Sequence, residues 1–310
     1  MPSVVITEFM DQPAVDALSA TFAVHYDPTL VDDPARLQAA VAQADAVIVR
    51  NRTQVNAELL AAAPKCRVVG RLGVGLDNID LTACQLRGVM VIPATGANAR
   101  AVAEYVLAAT LVLLRGCFMA SASVGEGKWP RLAYSSGLEI QGRIMGVVGF
   151  GSIGRLVSDL VRPLGMRVLA FDPALSPTDQ AFTVHHAQHC ARLDDLLQQA
   201  DAISLHVPLN DQTRHLINAQ RIALMKPTAV LVNTARGGVI DEAALVEAIR
   251  DKKLGGAALD VFEREPLPSG VLPHDLPQLI LTPHIAGLTQ EANERVSTMI
   301  AERVTAALKQ

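Results

Sequence analysis

Apolar residues along the chain cluster into short continuous runs separated by segments of helical periodicity. In the first third, Val4–Thr7, Ala46–Val49, Arg67–Arg71 and Val89–Pro93 predict strands. Helices are predicted near Pro13–Ala23, Pro34–Ala42, Asn56–Ala62 and Leu81–Arg87. A strand with one wet face alternates apolar and polar residues, whereas unbroken apolar runs indicate strands covered on both faces. The alternation of such strands with helices therefore predicts an α/β fold built on a parallel sheet. A long apolar helix, Asn98–Leu114, follows, and then an irregular stretch from Gly116 to Gly142 carrying Gly125, Gly127, Trp129 and Pro130. A second alternating unit has strands at Ile144–Gly149, Arg167–Phe171, Ala202–His206, Ala229–Asn233, Ala257–Leu259 and Leu279–Leu281. An amphipathic helix, Thr289–Leu308, ends the chain. The first unit lacks a closing helix, so this last one is expected to return to it and make that domain discontinuous.

Composition narrows the picture. A length of 310 residues suits two domains at about 150 residues each. Half the residues are apolar but only 4% are aromatic, so the core must be mostly Ala, Val, Leu and Ile. The net charge of −4 is spread without long like-sign runs, which argues against nucleic acid or an anionic membrane as the main partner. Cys66, Cys84, Cys117 and Cys190 show no paired spacing and read as ordinary thiols of a reducing compartment. The N-terminal MPSVVITEFMDQ lacks the basic and apolar regions of a signal peptide. The longest apolar run, Val106–Leu114, is nine residues, far short of the ~20 a membrane span requires. A cytoplasmic protein is expected.

Candidate chemistry begins at Gly149-Phe-Gly151-Ser152-Ile153-Gly154, which follows the strand RIMGVVG and opens the helix RLVSDLVRPLG. A glycine-rich turn alone is common; between a strand and a helix it is a dinucleotide signature. Gly149 permits the tight turn, Gly151 lets the backbone approach a pyrophosphate, and Gly154 lets helix and strand pack closely. The diphosphate would rest on the helix N-terminus. The next strand ends in Asp172, whose carboxylate can accept the ribose hydroxyls and repel a 2′-phosphate, so NAD rather than NADP is the expected cofactor.

Ligands of an open parallel sheet bind outside the carboxyl ends of its strands. The residues there are His206-Val207-Pro208, Thr234-Ala235-Arg236, Asp260 and Thr282-Pro283-His284. Arg236 can fork onto a carboxylate, His284 can carry a proton near neutral pH, and Glu265 of the loop FEREP can hold the other ring nitrogen of His284. Each alone reads as a surface ion pair, a loop carboxylate or a core histidine. Together they are the anchor, the proton carrier and the orienting group that reversible oxidation of a hydroxy acid requires. His206 is read as lining the adenosine pocket. His185, His186, His189 and Cys190 form a further cluster, read as solvated imidazoles rather than a metal site. Arg50 and Arg52, with Arg71 opening the next loop, suggest a site for an anionic group on the substrate; exposed surface arginines are the alternative.

At these residues the sequence resembles the D-isomer-specific 2-hydroxyacid dehydrogenases, which include phosphoglycerate, glycerate/hydroxypyruvate and D-lactate dehydrogenases. The segments GRLGVGLDNID, GANARAVAEY, IMGVVGFGSIGRLV, LHVPLNDQTRHLIN, MKPTAVLVNTARGGVIDEAAL, GAALDVFEREPLP and LTPHIAG carry the resemblance through most of the chain. It implies two doubly wound, Rossmann-like domains: residues 1–97 with 286–310 binding substrate, and 98–285 binding NAD. It also implies catalytic roles for Arg236, Glu265 and His284, and a nicotinamide contact for Asp260. Ser152, Ile153, Asp172, Val207, Thr234 and Ala235 become cofactor contacts, and the amides around Val74 and Gly75 the cradle of the substrate carboxylate. Gly116–Gly142 corresponds to a dimerisation arm, so a homodimer is implied. Only 26 residues follow His284, which reads as a short form without a C-terminal regulatory domain. A small 2-hydroxy acid with a second anionic group, of the 3-phosphoglycerate or 3-sulfolactate type, is the expected substrate. Glycerate/hydroxypyruvate or glyoxylate reduction is the alternative, and an NAD-sensing module without turnover is the reading from another functional class.

Overall fold

The computed structural model describes all 310 residues. They divide into two compact units, Met1–Asn98 with Leu288–Gln310, and Ala99–Gly287.

The smaller unit holds strands β1 (Ser3–Ile6), β2 (Ala23–Tyr26), β3 (Ala46–Val49), β4 (Val68–Arg71) and β5 (Met90–Pro93). They lie in the order β2-β1-β3-β4-β5, every pair parallel. Helices α1 (Gln12–Ser19), α2 (Pro34–Val41), α3 (Ala57–Ala62) and α4 (Leu81–Leu86) connect them. Their starts are written locally. The side chains of Asp33, Asn56 and Asp80 each accept a first-turn amide of the helix they precede, satisfying donors the helix itself cannot. Val4, Ile6, Ile48 and Val68 face one layer, which includes Ile300 and Val304 of the C-terminal helix Gln290–Leu308. Val5, Val47, Val49 and Val69 face the other, with Val41, Leu59 and Leu60. A Cβ on Gly70 would stand 2.9 Å from both Ile300 Cγ2 and Val304 Cγ2, so glycine there lets the returning helix seat directly on the sheet.

β2 corrects the expected helix Pro13–Ala23, which stops at Ser19. Its sequence Ala-Val-His-Tyr lies on the sheet edge and is only partly buried, so it lacks the apolar run that marks the inner strands.

The larger unit begins with α5 (Ala99–Arg115) and α6 (Ser121–Gly125). Its strands are β6 (Ile144–Val148), β7 (Arg167–Phe171), β8 (Gln188–His189), β9 (Ala202–Leu205), β10 (Val230–Asn233), β11 (Gly256–Leu259) and β12 (Leu279–Leu281). They form a parallel sheet in the order β12-β11-β10-β9-β6-β7-β8. α7 (Ser152–Val161), α8 (Gln180–Val184), α9 (Leu193–Gln199), α10 (Ala219–Ile222) and α11 (Glu242–Arg250) complete it. Met145 and Val147 pack with Val106, Leu113 and Val157 on one face, and Val148, Leu205 and Leu231 with Leu196 and Ile249 on the other. No single helix is long and apolar enough to cross a membrane.

In each sheet the strand order reverses once, between β1 and β3 in the smaller unit and between β6 and β9 in the larger. The crevice outside the strand ends at such a reversal is where open α/β sheets take their ligands.

Candidate active site

At the β6/β9 reversal the chain turns through Gly149, whose φ is +91° and whose Cβ would lie 2.5 Å from the His206 carbonyl oxygen. Only glycine meets both conditions. Gly154 packs α7 against the turn, its Cβ position 2.3 Å from the Gly149 carbonyl oxygen. Gly151 differs: nothing lies within 4 Å of its Cβ position, and no side chain caps the helix it precedes. The first amides of α7 therefore face open space. Asp172, just past β7, accepts the Phe150 amide at 2.8 Å and the Ala174 amide at 2.9 Å. The carboxylate expected to read the ribose is thereby tied to the phosphate turn.

The ends of β10 to β12 bring the other candidates together. Asn233, buried at the end of β10, accepts the Ala235 amide at 3.0 Å and donates to the Arg236 carbonyl at 2.9 Å. Gly237 rests on the next loop: its Cβ would fall 1.7 Å from the Phe262 carbonyl oxygen. Any side chain there would push the Arg236 turn off the Glu265 loop. Glu265 accepts the Phe262 amide at 3.0 Å through Oε1 and meets His284 Nδ1 at 2.7 Å through Oε2.

Burial would raise the Glu265 pKa, but the bonds from His284 and the Phe262 amide, with the charges of His284 and Arg236, hold it below the usual value. An ionised carboxylate has no proton to give, so Nδ1–H of His284 donates and Nε2 is left to exchange a proton with a ligand. The bond to Glu265 raises the His284 pKa against partial burial; the charges of Glu265 and Asp260 add to this and that of Arg236 opposes it. His206 behaves differently. Burial pushes it down to about 3, so it stays neutral, and its Nε2 meets Ser204 Oγ at 3.0 Å.

At the β1/β3 reversal of the smaller unit a carboxylate plugs the crevice. Glu8, 4% exposed, accepts the amides of Arg50, Arg52 and Thr53 at 2.9, 3.1 and 3.0 Å, with Asn51 at 3.4 Å. Asn78 closes the same turn from the other side by donating to the Arg50 and Thr53 carbonyls. Burial would raise the Glu8 pKa, yet the amide donors outweigh it and the group stays ionised. The turn thus fixes two arginines with different fates. Arg50 lies over the Phe9 ring, 5.5 Å from its centroid, and donates to Asn293 Oδ1 at 2.8 Å. Arg52 is exposed and paired with Asp32. Arg71 donates to the Leu72 carbonyl at 2.9 Å and covers the Cβ position of Gly73, beside Val74 and Gly75.

Residues 107–286 match the family described as D-isomer specific 2-hydroxyacid dehydrogenase, NAD binding domain. The chain belongs to the D-isomer specific 2-hydroxyacid dehydrogenase family. It is 51% identical over 309 residues to (S)-sulfolactate dehydrogenase of Chromohalobacter salexigens, covering 99% of both chains. It is 43% identical over 310 residues to D-3-phosphoglycerate dehydrogenase of Mycobacterium bovis; that match takes 99% of this chain and 57% of the length of the relative. Among solved structures, the TT0316 protein of Thermus thermophilus superposes with a TM-score of 0.88 at 34% identity, covering 99% of this chain and 97% of the other. This dehydrogenase is an NAD-dependent oxidoreductase.

The residues of the larger unit fit NAD. Besides the open space before Gly151, two buried polar atoms at the ends of adjacent strands, His206 Nδ1 and Thr234 Oγ1, have no partner within the protein. Buried polar groups ordinarily find one, and a polar ligand along this edge would supply it. A cavity of about 480 Å³ lies at the opposite sheet edge, lined by Arg115, Gly116, Tyr134, Gly255 and Pro277, away from every candidate residue.

Two expectations change. His185 is not a solvated imidazole: its Nδ1 meets Asp159 at 2.9 Å, and its ring stands edge-on to Phe150. His189 packs edge-on to Phe182. No group of three or more His, Cys, Asp or Glu side chains converges as metal ligands would. The two arginines of the 50–52 turn also part company: Arg52 is paired with Asp32 at the surface, whereas Arg50 is held half-buried over Phe9 with one bond to Asn293. Sequence reading missed Glu8, Asn78, Asn233 and Asn293. A charged or amide residue directly at the end of an apolar strand, as in VVITE and VLVN, is the available signal for Glu8 and Asn233. Nothing local marks the other two.

Proposed function

We propose that this dehydrogenase acts on a three-carbon 2-hydroxy acid bearing a sulfonate at C3, (S)-sulfolactate. The observation that carries this reading is Arg50, a partly buried guanidinium set at the β1/β3 reversal by Glu8, Phe9 and Asn293. Similarity over the full length of a sulfolactate dehydrogenase supports it. For this substrate the D-like arrangement at C2 is named S, because sulfur raises the priority of C3 above the carboxyl.

Arg236 forks onto the substrate carboxylate or carbonyl and polarises it. The amides near Val74 and Gly75 are assigned the carboxylate, and Arg50 the sulfonate. In oxidation His284 Nε2 takes the C2 hydroxyl proton; in reduction the imidazolium returns it to the carbonyl oxygen. Glu265 holds the ring and stabilises its charged form. The amides of Ser152 and Ile153 would hold the diphosphate, and Asp172 the ribose. Val207, Pro208, Thr234, Ala235 and Asp260 line the remainder of the cofactor site. NAD, when bound, supplies the hydride acceptor. A homodimer formed through residues 116–142 is part of the same reading, supported by the exposure of Phe118, Trp129 and Leu132 there, as is a cytoplasmic location.

The test is a panel of 2-hydroxy acids assayed with NAD, repeated with Arg50→Ala. Loss of a charge-assisted contact should lower kcat/KM for sulfolactate about ten- to a hundredfold while glyoxylate reduction changes little. Equal losses for both would remove Arg50 from substrate binding.

A further inference from the structure

His284 has φ +55°, a left-handed backbone that a non-glycine residue adopts only when its surroundings impose it. The surroundings here are specific. Parallel pairing of β11 with β12 sets Leu259 beside Leu281, so the next residues, Asp260 and Thr282, are neighbours. Thr282 Oγ1 donates to Asp260 Oδ1 at 2.6 Å. The same Oδ1 accepts the Ile285 amide and Oδ2 the Ala286 amide, both at 2.8 Å. The His284 amide closes back onto the Thr282 carbonyl at 3.0 Å. One carboxylate, 1% exposed, therefore grips the chain on both sides of His284. A further group completes the set: Tyr105 Oη on α5 lies 2.6 Å from Thr282 Oγ1. Thr282 has one hydroxyl proton and spends it on Asp260 Oδ1. The phenol must then donate to Thr282.

We propose that Tyr105 and Thr282 are positioning residues for His284. Through Asp260 they splint the turn that keeps Nδ1 on Glu265 and leaves Nε2 aimed at the reacting oxygen. Neither side chain hydrogen-bonds to the imidazole, whose partner is Glu265. Hydrogen bonds arranged in series polarise one another, so the Tyr105 proton strengthens the Thr282 bond to Asp260, and that bond holds the carboxylate square to the Ile285 and Ala286 amides. A second lone pair on Asp260 Oδ2 remains for a cofactor contact, so the two roles are compatible. This inference rests on His284 as the proton carrier.

Thr282→Val keeps the branched shape and removes the hydroxyl; Thr282→Ser keeps the hydroxyl; Tyr105→Phe removes only the outer donor. Each is assayed for hydroxypyruvate reduction with NADH across pH, with NADH binding read by fluorescence and folding by Tm. The groups facing His284 are Glu265, Asp260 and Arg236. If the turn relaxes, the ring loses the Glu265 bond that raises its pKa, and the alkaline limb of reduction moves toward acid. Thr282→Val should lower kcat about a hundredfold, the scale of a small misplacement of a reacting group. NADH affinity and oxo-acid KM should stay within about threefold, and Thr282→Ser should restore most of kcat. Tyr105→Phe should lower kcat about three- to tenfold in the same direction. Unchanged kcat and an unmoved limb in Tyr105→Phe and Thr282→Val would overturn the inference. So would a loss in Thr282→Val that Thr282→Ser fails to restore. If Thr282→Val does not fold, Tyr105→Phe decides by the same two readouts. Failure of the underlying reading is separable, since it would show as near-normal kcat in His284→Gln, whereas failure of the splint leaves His284→Gln inactive.

Discussion

The two sheets share a topology at their strand reversals and use it in opposite ways. In the larger unit the reversal exposes backbone donors: Gly151 opens onto free space and nothing caps α7. In the smaller unit the backbone donors at the reversal, the amides of residues 50 to 53 just past β3, are consumed by Glu8, just past β1. What remains for a ligand there is the side chains the turn displays, above all Arg50. A backbone nest suits a group that every substrate pair shares, such as a cofactor diphosphate. Side chains on a rigid turn suit a group that differs between substrates, because replacing one of them leaves the backbone in place. The carboxylates differ in the same sense. Glu8 is kept ionised by neutral amides, whereas Glu265 is kept ionised chiefly by a proton-carrying histidine. On the proposed function, one fixes shape and the other tunes chemistry.

The contrast breaks most severely at Glu8. Glu8→Ala strands several amides, and about 3 kcal/mol of the smaller unit's stability should go with them, measured by denaturant unfolding. The sign with pH follows from the depressed pKa. The contribution is full above the ordinary Glu value of about 4.3 and is lost as pH falls through the lower folded value. The gap between wild type and Glu8→Gln should therefore close in acid and persist at neutral pH.

Gly151→Val probes the other reversal. With space at the Cβ position and φ −78°, a β-branched side chain fits the fold, and Tm should hold. NADH binding should weaken about a hundredfold, because the side chain stands where a phosphate must approach. A drop in Tm with intact NADH affinity would reverse the comparison.

Glu265→Gln separates tuning from shape. The native bond favours the imidazolium, so its loss lets the proton leave at lower pH. The alkaline limb of reduction should retreat toward acid, with kcat at the new optimum reduced about tenfold and Tm little changed. A limb that stays in place or moves toward alkali would show that Glu265, like Glu8, only holds backbone.

The smallest effect is expected at Arg52. Its pair with Asp32 is exposed on both sides, and such pairs contribute about 0–1 kcal/mol. Arg52→Ala should change kcat/KM for sulfolactate less than about threefold, against the much larger loss at Arg50. Equal losses would bring both arginines to the substrate.

Much of this was legible along the chain. Unbroken apolar runs marked the inner strands, because a strand covered on both faces leaves no position for a polar side chain. The glycine turn was legible because its three constraints act within six residues of sequence. Arg236 and His284 stood out as candidates because ligand-facing side chains of a parallel sheet sit just past its strands, and the fold brings Glu265 of the next loop onto His284. The edge strand β2 was not legible, since its alternating exposed and half-buried positions carry His25 and Tyr26 as readily as Val.

What only the tertiary structure decided is which polar groups meet. Glu8 lies 42 residues from the amide of Arg50, Tyr105 lies 177 from Thr282, and Arg50 lies 243 from Asn293. Apolar pattern is a local property repeated in every element, so it survives in one dimension. A hydrogen bond is a pairing of two particular atoms, and strand order and register alone brought these pairs within reach.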